Sequence, residues 1–153
     1  MGDYIRSTRE CTPDSMNPLL SAAIRTHLEK YELGDAIASP LMCCETTSTK
    51  KKKGLFGSKV EVTLLGVILT SKWLFWAVGK ESETPGVLSA RLRELRVQDY
   101  EKSEMYKLVQ DTGMNVSGLR TGAGDAGTAF IGLGPEVAAQ KFRALLKETI
   151  ANL

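Results

Sequence analysis

The chain has 153 residues and a formal net charge of +2, with 42% hydrophobic and 25% charged residues. These values are typical of one soluble globular domain, and they exclude collagen-like, disulfide-scaffold and wholly disordered chains. No apolar stretch approaches the ~20 residues that a membrane-spanning helix needs. Residues 1–10 are polar and carry both signs of charge, so we expect a cytoplasmic protein without a secretory signal.

The N-terminal part of the chain predicts an arm followed by a helix. Residues 1–16 have no hydrophobic period, so we expect a flexible arm there. Residues 17–34 predict a helix, because Asn17 is a good N-cap, Pro18 suits the first helical position and Gly34 suits the C-terminal cap. Apolar residues recur along this helix on one stripe, which another surface must cover.

The central part of the chain predicts strands. Residues 37–49 are rich in small, β-branched and sulfur-containing residues and predict a strand. Residues 50–57 contain four lysines and two glycines and predict a loop. Residues 60–69 alternate and then become continuously apolar, and residues 73–78 are aromatic. The short turn between these last two segments predicts an antiparallel hairpin.

The next segments are harder to assign. Residues 87–97 fit both a strand and a helix, and we favour a strand with a bend near its middle. Residues 105–109 and 114–119 predict a second hairpin. Residues 122–127 predict a loop, and residues 128–133 predict a further short strand.

The chain ends in a predicted amphipathic helix over residues 135–152. Pro135 and Glu136 favour a helix start, and apolar residues then recur on one face. The predicted order is a helix, about seven short strands and a final helix. Because no regular alternation of strands and helices is present, this order indicates an antiparallel α+β domain.

Three segments resemble the pleckstrin-homology-like superfamily, in particular its bacterial and GRAM-like branches. Residues 66–75 combine a glycine, an apolar strand, a polar and basic turn and a strand with large apolar residues. Residues 88–95 are similar to the family's next strand, and residues 130–134 lead into a helix similar to its capping helix. The resemblance implies a domain at residues 36–153, built as a bent antiparallel β-barrel of about seven strands capped by the C-terminal helix. It implies a binding module, since members of the family bind lipid headgroups or peptides or join subunits, and it leaves the N-terminal helix as an addition.

The positive charge of the chain is concentrated in the predicted loop at residues 50–57. Residues 41–60 contain five lysines and one glutamate. In the resemblance this loop lies where lipid-binding members keep basic residues. Each lysine near an anionic leaflet contributes about 1 kcal/mol, and inserted apolar residues add to this. We therefore expect weak association with an anionic membrane surface or lipid headgroups through Lys50, Lys51, Lys52, Lys53, Leu55, Phe56 and Lys59. The alternative is a solvated loop that contacts nothing.

The apolar stripe of the first helix supports a different hypothesis. Leu20, Ile24 and Leu28 lie outside the family pattern and must be covered by the same chain or by a second molecule. In the second case the protein is a protein-protein interaction or self-association module, with a homodimer as one form. The edge of the barrel offers another surface for a protein partner.

Other kinds of chemistry find little support in the sequence. Three cysteines, two of them adjacent, fit reduced thiols better than a disulfide framework or a zinc site. His27 is the sole histidine, and its place at the edge of the apolar stripe favours a structural role. Residues 122–127 match the dinucleotide string G-x-G-x-x-G, but a predicted strand follows where a helix is required. Only one aromatic residue accompanies the lysines, so nucleic acid is an unexpected partner. We expect no enzyme, no cofactor and no metal site.

Overall fold

The computed structural model describes residues 4–54, 57–120 and 126–153, without the side chains of residues 52–59 and 119–126. Within these residues the chain forms eight strands and two α-helices. Their order is β1 (Tyr4–Cys11), α1 (Pro18–Lys30), β2 (Met42–Gly54), β3 (Gly57–Leu69), β4 (Trp73–Lys80), β5 (Gly86–Arg91), β6 (Arg96–Asp99), β7 (Gly113–Arg120), β8 (Ala126–Gly132) and α2 (Val137–Ala151). Short 3-10 turns lie at Leu92–Glu94, Tyr100–Lys102 and Glu104–Lys107.

The strands pair into two antiparallel sheets, which confirms the predicted α+β class. The first sheet has the order β1-β2-β3-β4-β5, and the second has the order β6-β7-β8. The predicted hairpin of β3 and β4 is present, with Leu69 paired to Leu74 beside the turn. The ambiguous segment at residues 87–97 forms β5 and β6 with a 3-10 turn between them, as the favoured interpretation predicted. The described strands form two separate hydrogen-bonded sheets instead of one closed barrel.

The main core lies between the two sheets and α2. Trp76 of β4 and Phe142 of α2 are its largest members, and both are almost completely buried. Met114 and Ile131 bring the second sheet onto the same core. Burial of apolar surface from both sheets and one face of α2 stabilises this arrangement.

A second core covers the opposite face of the first sheet, where α1 packs. Leu20, Ile24 and Leu28 are buried there with Phe75 and Ile68 of the sheet. Their proposed use as an interface is therefore wrong, because the chain's own sheet already covers them. The N-cap prediction is confirmed, since the Asn17 side chain accepts a 2.9 Å hydrogen bond from the amide of Leu19. The helix itself ends at Lys30, and not at Gly34.

The expected arm at residues 1–16 is corrected by the structure, because β1 lies within it and pairs with β2. Its inward residues are polar and hydrogen-bonded: the hydroxyls of Thr8 and Thr46 lie 2.8 Å apart, and Arg6 binds the Ser48 hydroxyl. A strand whose buried face is polar has no hydrophobic period to detect. Hydrogen bonds between strands replace apolar burial as the reason for its order.

Two further local predictions are corrected. The segment predicted as a loop at residues 50–57 forms the ends of β2 and β3 up to Gly54 and Gly57, because backbone pairing with the facing strand outweighs the repulsion between lysines. The segment at residues 105–109 lies in 3-10 and turn structure instead of a strand, and its Met105, Leu108 and Val109 side chains are exposed. The loop predicted at residues 122–127 lies mostly outside the described residues.

Candidate functional site

The hairpin of β2 and β3 is longer than the strands beside it. β1 pairs with β2 up to Lys50, and β4 pairs with β3 from Leu69 only as far as Thr63. Beyond these points the two strands continue to pair with each other as far as Gly54 and Gly57. At ~3.3 Å per residue, the four residues after Lys50 extend about 13 Å beyond the last described partner of β2. We call residues 50–62 the hairpin arm.

The arm holds all five lysines of the predicted membrane contact. Lys50 and Lys51 have described side chains: the Lys50 ammonium lies 5.2 Å from the centroid of the Tyr4 ring, and Lys51 is exposed. The backbone register places Lys52 opposite Lys59 and Lys53 opposite Ser58. The other two predicted contact residues, Leu55 and Phe56, lie outside the described residues.

Positive charge in the arm exceeds its negative charge. Glu61 is its only acidic residue, and it is the register partner of Lys50. The Glu61 carboxylate also lies 3.9 Å from the Lys80 ammonium of β4.

Two exposed apolar side chains accompany the lysines, and the sequence reasoning missed both. Strand alternation and register put Ile5, Val60 and Lys51 on the same face of the first sheet, with Lys51 between the other two. Ile5 is 72% exposed and Val60 is 59% exposed. Val60 could have been found from the alternation of residues 60–64, but Ile5 required the unpredicted β1.

A cleft of about 290 Å³ opens between the two sheets below the arm. Arg6 projects into it and donates two hydrogen bonds, of 2.9 and 2.8 Å, to the Asp111 carboxylate. The rings of Tyr4 and Phe130 lie 4.6 and 5.4 Å from its guanidinium carbon. Carboxylate and hydroxyl partners already satisfy the hydrogen-bond donors of Arg6. We therefore interpret this cleft as structural: its polar contacts connect β1 with the segment before β7.

The surroundings of the sole histidine and of the cysteines favour structural roles for these side chains. His27 of α1 lies 2.8 Å from the Ser89 hydroxyl of β5, and burial together with Lys30 lowers the pKa of its imidazole. Burial raises the pKa of Cys11 to about 11 and that of Cys43 to about 12, and it also raises that of Cys44. Raised values keep these thiols protonated at neutral pH.

The described part of the chain contains no cluster of three metal-ligating side chains. Among the described helices, none is long and apolar enough to cross a membrane. Comparison with protein-family models, curated proteins and solved structures finds no match to this chain.

Proposed function

We propose that the protein is a non-enzymatic binding module that associates weakly with anionic membrane surfaces through the hairpin arm. The observation that supports this most is the geometry of the arm: a two-stranded ribbon that extends beyond the described parts of β1 and β4 and contains five lysines and one carboxylate. A cationic ribbon that extends beyond the strands described beside it is suited to contact with a flat anionic surface. The protein would then be cytoplasmic and peripheral at the membrane.

The charges of the arm, together with the exposed side chains of Val60 and of Ile5 in β1, set the expected affinity for the membrane. Five lysines at about 1 kcal/mol each contribute up to about 5 kcal/mol on an anionic leaflet. Partial burial of Ile5 and Val60 adds about 2 kcal/mol, well below the value for two fully buried side chains. A total of about 7 kcal/mol corresponds to a dissociation constant of about 10 µM. Binding of this strength is reversible and depends strongly on salt.

The test is co-sedimentation with phosphatidylcholine vesicles, with and without phosphatidylserine, at low and at physiological ionic strength. The proposal predicts binding that needs phosphatidylserine and weakens as salt rises. The variant K51S/K52S/K53S removes three charges from the arm and leaves the contact between Lys50 and Tyr4 in place. It should bind about 100-fold more weakly, since about 3 kcal/mol is lost.

A matched variant separates local from overall charge. K30S/K102S/K107S also removes three positive charges, all from exposed side chains away from the arm. The proposal predicts that it binds almost as well as the unmodified protein. Equal losses in the two variants, or no binding to phosphatidylserine at low salt, would refute the membrane contact.

We also propose that the fold belongs to the pleckstrin-homology-like superfamily. Four antiparallel strands (β2 to β5), three more (β6 to β8) and a final helix that packs into the core between the sheets support this relationship. In this view β1 and α1 are additions, the first extending the sheet and the second covering its outer face. An experimental structure in which the two sheets do not share one core would contradict it.

A further inference from the structure

A second concave surface lies at the other end of the first sheet from the hairpin arm. It is a cavity of about 460 Å³ beside the turn between β3 and β4, the end of β5 and the end of α2. The described residues that line it are Ser71, Lys72, Trp73, Arg91, Arg93 and Leu153. The seven residue steps along β3 from Val62, the last residue of the arm, to Leu69, at ~3.3 Å each, separate it from the arm by about 23 Å. The two sites are therefore distinct.

The local fold holds two arginines at this cavity. Arg91 is the register partner of Trp73, and its guanidinium carbon lies 5.3 Å from the centroid of the indole ring. Leu92 is completely buried, and its amide donates a 2.9 Å hydrogen bond to the carbonyl of Lys72. Burial of Leu92 turns the two residues on either side of it, Arg91 and Arg93, toward solvent, where both are exposed.

The cationic groups of the cavity have no carboxylate partner within the described residues. Lys72, Arg91 and Arg93 form no ion pair there, and none of the described lining residues has an acidic side chain. The buried arginines of the fold are paired instead: Arg6 with Asp111, and Arg143 with Asp99 and Glu101. Unneutralised cations grouped in a concave site raise the local concentration of anions.

We propose that this cavity binds a phosphate group that carries two or more negative charges. Guanidinium groups present forked donors that match phosphate oxygens, and the ammonium of Lys72 adds a third charge. The indole of Trp73 holds one guanidinium in place before the ligand arrives, which lowers the ordering cost of binding. The Ser71 hydroxyl supplies a further donor at the rim.

A structural role for the same cations makes a different prediction. Leu153 lines the cavity just beyond the end of α2, and cations near the C-terminus of a helix stabilise it through its dipole. If that is their whole purpose, removing them lowers stability and affects no ligand. The experiment must therefore measure binding at the cavity itself.

Trp73 provides a reporter for the test. The two tryptophan indole N–H signals of the ¹⁵N-labelled protein are assigned with Trp73→Phe and followed during titration with inorganic pyrophosphate, against sodium chloride at matched ionic strength. The proposal predicts a saturable shift of the Trp73 signal with pyrophosphate only. It predicts little change at Trp76, which is buried in the core.

Variants test whether the two arginines of the cavity are responsible for pyrophosphate binding. R91Q/R93Q should weaken pyrophosphate binding at least about tenfold, because hydrogen bonds to charged groups are lost. R91K/R93K keeps the charge but loses the forked geometry of the guanidinium groups. Its affinity for pyrophosphate should therefore lie between that of the unmodified protein and that of R91Q/R93Q. K51S/K52S/K53S changes only the arm and should bind pyrophosphate normally.

A separate titration distinguishes a lipid headgroup from a free phosphate as the ligand. Vesicles that contain a phosphatidylinositol phosphate are compared with pyrophosphate, and a shift of Trp73 with the vesicles in K51S/K52S/K53S would indicate a lipid headgroup. No saturable shift of Trp73 with either probe would overturn the proposal. An unchanged affinity in R91Q/R93Q would overturn it as well.

Discussion

Arg143 ties α2 to the second sheet, and its replacement should destabilise the fold measurably. Its side chain is only 9% exposed. The guanidinium donates hydrogen bonds to the Asp99 carboxylate at 3.0 Å, the Glu101 carboxylate at 2.7 Å and the carbonyl of Gly113 at 2.9 Å. Arg143→Met keeps the aliphatic part of the side chain and removes all three contacts.

The contacts of Arg143 determine how much unfolding free energy we expect Arg143→Met to lose. Removing one partner of a buried ion pair costs about 3–5 kcal/mol, because the other partner stays buried without compensation. Asp99 keeps a 2.6 Å contact with Lys147, and Glu101 still accepts a hydrogen bond from the amide of Gly113. Among the described residues, the Nε atom of Arg143 has no hydrogen-bond partner to lose. We therefore expect a loss of about 3 kcal/mol, which lowers the melting temperature by about 6–12 °C in a chain of this size.

The pH dependence of this loss gives an independent check. Burial raises the pKa of Asp99, but hydrogen bonds from Lys147 and Arg143 outweigh burial and hold it below the ordinary value of 3.8. A lowered pKa contributes stability that is complete above 3.8 and is lost as pH falls through the lowered value. The difference between the unmodified protein and Arg143→Met should therefore shrink in acid.

Urea denaturation at pH 7 and in acid measures both effects. Arg96→Met is the matched control, because Arg96 is an exposed arginine of β6 and surface changes of this kind usually stay within about 0.5 kcal/mol. Equal unfolding free energies for Arg143→Met and the unmodified protein at pH 7 would refute the reasoning. A loss of the same size in Arg96→Met would refute it too.

Three further predictions concern the exposed apolar residues beside the arm, His27 of α1 and a strained backbone position. I5S/V60S should weaken binding to phosphatidylserine vesicles about tenfold or more in co-sedimentation, since about 2 kcal/mol of apolar contact is lost; unchanged binding would exclude insertion of this face. Because burial lowers the pKa of His27, the unfolded chain takes up its proton first, and unfolding free energy should fall as pH drops below 6.5; His27→Gln should flatten this slope in urea titrations. Gly118 has φ +93°, and a Cβ there would lie 2.1 Å from the carbonyl oxygen of Glu94. Gly118→Ala should therefore lower the unfolding free energy by at least about 1–3 kcal/mol in thermal unfolding, and an unchanged value would contradict the described backbone.

The sequence predicts those elements whose signals are local. Asn17 and the apolar stripe after it identify α1, the short turn between β3 and β4 identifies their hairpin, and the periodic residues after Glu136 identify α2. Each of these signals is a spacing of residues within one segment. No knowledge of the other segments is needed to read it.

The remaining features depend on pairs of residues that are far apart in the chain. β1 escapes detection because Arg6 and Thr8 point inward and are satisfied by Ser48, Asp111 and Thr46. No periodicity within residues 4–11 can show this, since the partners are about 40 to 100 residues away.

The candidate sites divide in the same way. Four of the five lysines are visible as a run, but the place of all five on a ribbon follows from where the described strands on either side of it end. The cavity at Arg91 and Lys72 brings together residues that look unremarkable in the sequence. Only the pairing of β4 with β5 makes them neighbours.

The most direct test of the proposed membrane contact is amide hydrogen exchange with and without phosphatidylserine vesicles. It reports which part of the chain the membrane covers. The proposal predicts slower exchange in peptides that cover residues 50–62 and in the neighbouring β1, with unchanged exchange in α1 and α2. Protection that is absent from the hairpin arm, or that appears on α1 instead, would contradict it.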